Sequence, residues 1–318
     1  MSLLEIRRLS VDYPQKNRRV LHALSDVSLS VEARETMAVV GESGCGKSTL
    51  GKAAIRLIEP TVGEVFFDGQ NITQMRPAEF ARVRRRMQMI FQDPYASLNP
   101  RMKVRDLIAE PLETYRICPT RQATTERVAE LLEAVGLSAS HLSRYPHQFS
   151  GGQRQRVGIA RAIALRPDCI VCDEPVSALD VSVQNQILNL LRDLQQRFGL
   201  TYLFISHDLS VVRFISDRVC VMFLGTMCEI GDTETIYTRP LHPYTRFLLD
   251  AIPDPNPHTR GRARMLLTGE MPSSIDLPKG CRFHTRCPYA TDVCRQTEPE
   301  LREMDGRMVA CHHCGESL

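Results

Sequence analysis

The sequence predicts an α/β fold with a small cysteine-rich appendage, and three observations carry that reading. Short apolar runs such as Thr36 to Val40 and Cys169 to Cys172 alternate with helical patterns, the order that builds a largely parallel sheet flanked by helices. A glycine-rich GxxxxGK[ST] segment, Gly41 to Thr49, lies between the first of these runs and a helical stretch. Composition then shifts after about Gly231: nine of the 19 prolines lie between Tyr237 and the end, and five of the 11 cysteines fall in the last 38 residues.

Taken in order, Thr36 to Val40 ends in glycine and reads as a buried strand. A helix is expected from about Lys47 to Ile58, stopped near Pro60, since proline cannot continue a helix. Gly63 to Ile72 contains an Asp-Gly turn between two apolar segments and predicts short antiparallel strands,. Helical patterns dominate from about Val104 to Leu142 and return at Gly151 to Leu165. Val183 to Phe198 places Ile187, Leu188, Leu190, Leu191 and Leu194 on one side of a helix,. Tyr202 to Ile205 and Val219 to Leu224 are further strands. Pro253-Asp254-Pro255-Asn256-Pro257 reads as a linker,, and the domain boundary is expected near residue 235. No internal repeat is visible.

A hydrophobic fraction of 43% and a charged fraction of 24% suit a globular chain with a sizeable core,. The net charge of +3 argues against nucleic-acid binding as the main task,. The run Arg82, Arg84, Arg85, Arg86 reads as a solvated helix face. No stretch reaches the roughly 18 apolar residues of a membrane-spanning helix, and the first residues lack a secretory pattern,. The chain is therefore expected in the cytoplasm, meeting a membrane only through partners. An odd cysteine count there argues against a disulfide framework,.

Gly41-Glu42-Ser43-Gly44-Cys45-Gly46-Lys47-Ser48-Thr49 is built to hold phosphate. Its glycines let backbone N–H groups turn inward, Lys47 supplies a point charge, Ser48 is a Mg²⁺ ligand candidate, and the following helix adds its positive end. Cys45 reads as a small space-filling residue. Some 103 residues after Lys47, Phe149-Ser150-Gly151-Gly152-Gln153 precedes another helix. Ser150 is a good N-cap, and Gly151 and Gly152 clear the approach to a second phosphate-binding helix end.

With these two segments the sequence resembles the ABC ATPase family, whose signature motif reaches across a dimer interface onto ATP held by the other subunit. Phe149 stands where that family usually has Leu. The resemblance implies a P-loop NTPase with a RecA-like core, an antiparallel β subdomain and an inserted helical subdomain at about residues 95–155. The ATP-binding domain would span residues 1–235, with residues 236–318 as a small Cys-rich C-terminal extension. Other family motifs follow in order. Cys169 to Glu174 resembles Walker B, with Asp173 for Mg²⁺ and Glu174 as general base. Gln92, in Phe91-Gln92-Asp93-Pro94, resembles the Q-loop glutamine that reaches Mg²⁺ and the γ-phosphate. Asp180, in Ser177-Ala178-Leu179-Asp180, resembles the D-loop; His207 resembles the switch histidine; Tyr13 resembles the aromatic residue that stacks on adenine. ATP and Mg²⁺ are the cofactors implied, with ATP-driven closure of two subunits followed by hydrolysis.

The tail has the spacing Cys281-x5-Cys287-x6-Cys294-x16-Cys311, then Cys311-His312-His313-Cys314. Clustered thiols suggest a metal, and spacing alone leaves an Fe–S cluster and zinc open. His242-Pro243-Tyr244-Thr245, Gly269-Glu270-Met271-Pro272-Ser273 and Gly280-Cys281-Arg282-Phe283 resemble the C-terminal extension of oligopeptide/dipeptide importer ATPases. That resemblance implies a structural [4Fe–4S] cluster on Cys281, Cys287, Cys294 and Cys311, with Cys314 as an extra thiol. The P-loop and the stretch Phe91 to Pro100 resemble the F-type member of the two unlike ATPases in such importers. The implied partners are a second homologous ATPase in a heterodimer, two transmembrane permease subunits and, indirectly, a substrate-binding protein. The implied place is the cytoplasmic face of the bacterial inner membrane, and the implied cargo is di- or oligopeptide. The same role in a nickel or other small-solute importer, or an iron- or redox-sensing regulatory ATPase, are the alternatives.

Overall fold

A computed structural model describes residues 2–252 and 271–314. The chain forms two compact units, one of residues 2–31, 35–73 and 204 onward, the other of residues 32–34 and 74–203.

The first unit holds an antiparallel sheet that local patterning did not reveal in its first half. Ser2–Pro14 pairs with Val62–Phe67, in register from Leu4 opposite Phe67 to Ile6 opposite Val65. Val20–Glu32 and Gln70–Asn71 complete the sheet. A bulge between Arg7 and Ser10 puts Arg8 at φ +48°. Leu4 and Ile6 are buried before it, Leu9 and Val11 after it, so the apolar alternation slips by one residue midway. Gly63, at φ +94°, faces the bulge; a Cβ there would lie 2.3 Å from the Arg8 carbonyl oxygen. The expected Asp-Gly hairpin is present, with Asp68 and Gly69 at φ +51° and +73°, as a type I′ turn requires.

The same unit builds a second sheet. Thr36–Val40 runs parallel to Arg218–Phe223, which pairs antiparallel with Thr226–Asp232. The tail then adds two strands: Arg307–Val309 pairs with Thr226–Asp232, and Arg302–Met304 pairs with Arg307–Val309. A buried ion pair marks this junction, Glu229 to Arg307 at 3.5 Å. The Glu229 carboxylate also accepts the N–H groups of Leu241 and His242, and Arg307 donates to the carbonyls of Thr235 and Arg239. The Glu229 carboxylate is thus well satisfied, whereas Arg307 Nε and Nη2 are buried without a hydrogen-bond partner among the described residues, so the pair holds its charge at a desolvation cost. Val40, Val221 and Phe223 share one hydrophobic core with Tyr244, Phe247 and Phe283, so residues on both sides of position 235 are packed together. The proline-rich stretch 253–257 and Gly269-Glu270 lie outside the described residues.

The helix after the glycine-rich loop is Lys47–Ala54, shorter than expected. Arg56 takes the left-handed conformation at φ +51°, and Leu57 N–H reaches back to the Lys52 carbonyl. The chain therefore leaves the helix before Pro60 is reached.

In the second unit, Met87–Ile90 pairs parallel with Cys169–Asp173, all five residues of which are buried. Helices Val104–Thr114, Arg121–Ala134 and Gly151–Ile163 pack on one another. Val181–Phe198 buries the isoleucine and four leucines expected of it and ends at Gly199, φ +67°. Of the four arginines, Arg82, Arg84 and Arg85 are exposed, whereas Arg86 pairs with Asp168. Among the described residues no helix is long and apolar enough to cross a membrane.

Candidate functional site

The glycine-rich loop leaves the buried Thr36–Val40 strand at Gly41. A Cβ on Gly41 would sit 2.2 Å from the Met222 carbonyl oxygen, and one on Gly46 would sit 2.4 Å from that of Ala23. Gly46 also has φ +103°. Both positions therefore exclude a side chain, while nothing lies within 4 Å of the place a Gly44 Cβ would occupy. The turn is thus pressed onto the fold on one face and open on the other. Lys47 is 5% exposed, and its Nζ donates to the carbonyls of Gly41 and Glu42 at 2.8 and 2.9 Å. The helix that starts at Lys47 has no side-chain cap, leaving its first N–H groups directed at whatever the loop holds. Ser48 and Thr49 sit half-buried in its first turn. Cys45 is buried, and burial pushes its thiol pKa above the ordinary value.

Two contacts to this loop come from the far end of the chain and were not visible in the sequence. Glu42 N–H donates to the Tyr244 hydroxyl at 2.9 Å. Arg286 donates to both oxygens of the Glu42 carboxylate, at 2.7 and 3.2 Å.

His207 is exposed in the turn after Thr201–Ile205. That turn is tied to the strand that feeds the loop, because Ser206 N–H donates to the Val39 carbonyl. Asp208 then caps Leu209–Ile215, accepting from Ser210 and Val211. Tyr13 is half-buried near the end of Ser2–Pro14, next to Asp12, which bonds His22 Nδ1 at 2.8 Å.

In the second unit, Asp173 is buried at the end of the Cys169–Asp173 strand. Glu174 follows at φ +46°, a left-handed conformation that a non-glycine residue holds at an energetic cost and that clusters at functional sites. Its Oε2 accepts from Gln92 Nε2 at 3.0 Å, so two residues 82 positions apart in sequence converge. Ser150 and Gln153 form a reciprocal capping box at the start of Gly151–Ile163,. Gly152 has a further reason to be glycine: a Cβ there would lie 2.4 Å from Val183 Cγ1. Asp180 caps the helix carrying Val183, and its bonds to the Ser182 hydroxyl and Val183 N–H hold its pKa below the ordinary value.

In the tail, Cys281, Cys287, Cys294 and Cys311 line one cavity of about 10 Å³ together with His242 and Phe283. Burial raises the pKa of Cys287, and pushes Cys281 up to about 12 and Cys311 to about 11. Cys314 does not line the cavity; its sulfur donates to the Cys311 carbonyl at 3.1 Å and accepts from Arg302 at 3.2 Å. Among the described residues, no group of three or more His, Cys, Asp or Glu side chains is disposed to hold a single metal ion.

Two protein families match the chain: "ABC transporter" over residues 24–177, and "Oligopeptide/dipeptide transporter, C-terminal region" over residues 228–294. The protein YkfD of Bacillus subtilis (strain 168) is 52% identical over 314 residues, covering 98% of this chain and 95% of that protein. The oligopeptide transport ATP-binding protein AppF of the same organism is 50% identical over 322 residues, covering 98% and 97%. Among solved structures, the dimeric ABC transporter cassette MJ0796 is similar with a TM-score of 0.66 and 30% identity, covering 72% of this chain and 98% of that one. The same cassette has been seen, with the same similarity, in a post-hydrolysis state bound to ADP and Pi.

Proposed function

We propose how this chain, which belongs to the oligopeptide/dipeptide family of ABC transporter ATP-binding proteins, hydrolyses ATP and what that hydrolysis drives. The ATP phosphates lie in the open side of the Gly41–Thr49 turn. Lys47 exchanges its two carbonyl partners for phosphate oxygens, and the uncapped N–H groups of its helix donate alongside it. Ser48, Asp173 and Gln92 would hold Mg²⁺, which would neutralise charge developing on the phosphates. Glu174 takes the proton of the attacking water as it adds to the γ-phosphorus and ADP departs, and His207 contacts the γ-phosphate. Tyr13 stacks on adenine. Ser150, Gly151, Gly152 and Gln153 reach the nucleotide of a second subunit, with Asp180 beside them at that interface.

The observation that carries the catalytic assignment is the hydrogen bond between Gln92 and Glu174, made by a glutamate in left-handed backbone geometry. It links the γ-phosphate sensor to the base. Glu174→Gln in the assembled transporter is expected to lower ATP turnover by at least about 100-fold, the range for a lost general base, with ATP affinity retained. Near-normal turnover would remove Glu174 from that role.

The cargo reading rests on the tail family and on AppF, whose name gives it oligopeptide transport. This chain would work at the cytoplasmic face of the inner membrane, with a second homologous ATPase, two permease subunits and a separate substrate-binding protein. Reconstitution with those partners tests it: peptide uptake should require ATP and stop in the Glu174→Gln variant. The tail's resemblance to importer extensions further implies a [4Fe–4S] cluster on Cys281, Cys287, Cys294 and Cys311, four thiols that line one small cavity,. When bound it would brace the tail. An anaerobic preparation rich in zinc and free of iron would reverse that assignment.

A further inference from the structure

The segment from Cys281 to Cys287 touches the glycine-rich loop through Arg286 and, through Arg282, braces the Leu224–Gly225 turn that bonds it. Arg282 donates to the Leu224 carbonyl at 2.5 Å, and the next residue, Gly225, donates its N–H to the Cys45 carbonyl within the loop. Arg286 grips the Glu42 carboxylate through both terminal guanidinium nitrogens. Its side chain is 8% exposed and that of Glu42 is 27% exposed. Behind them, Tyr244 accepts the Glu42 N–H, meets Phe223 edge-on and packs at a tilt against Phe283. Both ends of the segment, Cys281 and Cys287, are seated in the tail cavity.

A carboxylate at position 42 is an awkward neighbour for a triphosphate. Glu42 is one residue into a loop that collects negative charge, and its own carbonyl already accepts from Lys47. An unpaired carboxylate there repels the phosphates and competes for Lys47. The bidentate guanidinium contact cancels that charge and fixes its direction in one geometry.

We propose that Arg286 is a positioning residue for nucleotide binding: it neutralises Glu42 and holds that carboxylate away from the phosphate site, so the C-terminal extension forms part of the working P-loop. This rests on reading Gly41–Thr49 as the ATP site and adds a residue that lies 244 positions further along the chain.

Mg·ATP binding to the full-length chain, measured by calorimetry, tests it. Arg286→Ala is expected to weaken ATP about tenfold, equal to about 1.4 kcal/mol. Adding Glu42→Gln to that variant is expected to restore affinity to within about threefold of wild type, because the charge that needed cancelling is gone. A residue that merely braced the tail would give no such rescue. Wild-type affinity in Arg286→Ala, or a double variant no tighter than Arg286→Ala, overturns the proposal. If Arg286→Ala does not fold, Glu42→Gln alone decides: tighter ATP binding supports the proposal and weaker binding overturns it. Lys47→Ala separates the underlying reading, since unchanged ATP binding there would mean that the loop itself is not the site.

Discussion

The phosphate loop and the cysteine-rich tail belong to the same compact unit, yet they are built in opposite ways. The loop is made of main chain: glycines at Gly41 and Gly46 that exclude a Cβ, carbonyls that hold Lys47, and an uncapped helix start. The tail is made of side-chain contacts over long sequence distances, around Phe283. That ring lies 5.3 Å from Phe223, 5.3 Å from Tyr244 and 5.9 Å from Phe247, centroid to centroid. A loop of the first kind is written in consecutive residues. A region of the second kind exists only once the chain has folded. The two meet at Glu42, whose amide and carboxylate are both held by tail residues.

The coupling of tail and loop is tested most strongly at the aromatic centre. Phe283→Ala removes a buried ring and should destabilise the unit by about 3–5 kcal/mol, read as a fall in the urea midpoint. Because Tyr244 leans on Phe283, ATP affinity should fall in the same variant. A destabilised chain with unchanged ATP affinity would mean that tail and loop are energetically separate.

A second test uses pH. His242 is buried; its Nδ1 accepts the Tyr244 N–H, and burial drives its pKa down to about 3. The folded chain keeps this ring neutral while the unfolded chain protonates it below about 6.5. Its contribution is therefore fully present above about pH 6.5 and is lost as pH falls, by up to about 1.4 kcal/mol per unit down to about pH 3. Glu229, whose pKa is raised by burial, works in the other direction: the fold binds its proton more readily than the unfolded chain does. The difference between wild type and His242→Asn isolates the histidine. In the iron-free chain, the variant should show a shallower loss of stability between pH 6.5 and 5. Equal slopes would remove His242 from the account.

The smallest effect is kinetic. Cys45 is buried with a raised pKa, whereas Cys118 is half-buried. Iodoacetamide should label Cys118 at least about tenfold faster, since the thiolate is the nucleophile, as followed by peptide mass spectrometry. Chains that do carry the label on Cys45 should no longer bind ATP, because the thiol fills the space beneath Gly41.

Most of the strands and helices around the site could be read in advance. The Cys169–Asp173 strand, the Val181–Phe198 helix and the Asp68-Gly69 hairpin follow from local apolar periodicity and turn chemistry,. The Ser2–Pro14 and Val20–Glu32 strands were hidden because positive-φ residues, Arg8 and Asp26, interrupt their alternation. The helix after the P-loop was overextended because its stop is Arg56, whose side chain donates to the Ile72 carbonyl, and not Pro60.

The same division holds for function. The glycine-rich Gly41–Thr49 loop, the capped helix start at Ser150, the paired acids Asp173 and Glu174 and the set of tail cysteines were legible in the chain, because each is a local run whose chemistry depends on its neighbours. Folding, not local pattern, set that Gln92 bonds Glu174, that Cys314 stands aside from the four cavity cysteines, and that Arg286 and Tyr244 hold Glu42. The bonded pairs are choices of partner between groups 82 to 244 residues apart, and partner choice is settled by packing and burial, which no local pattern encodes.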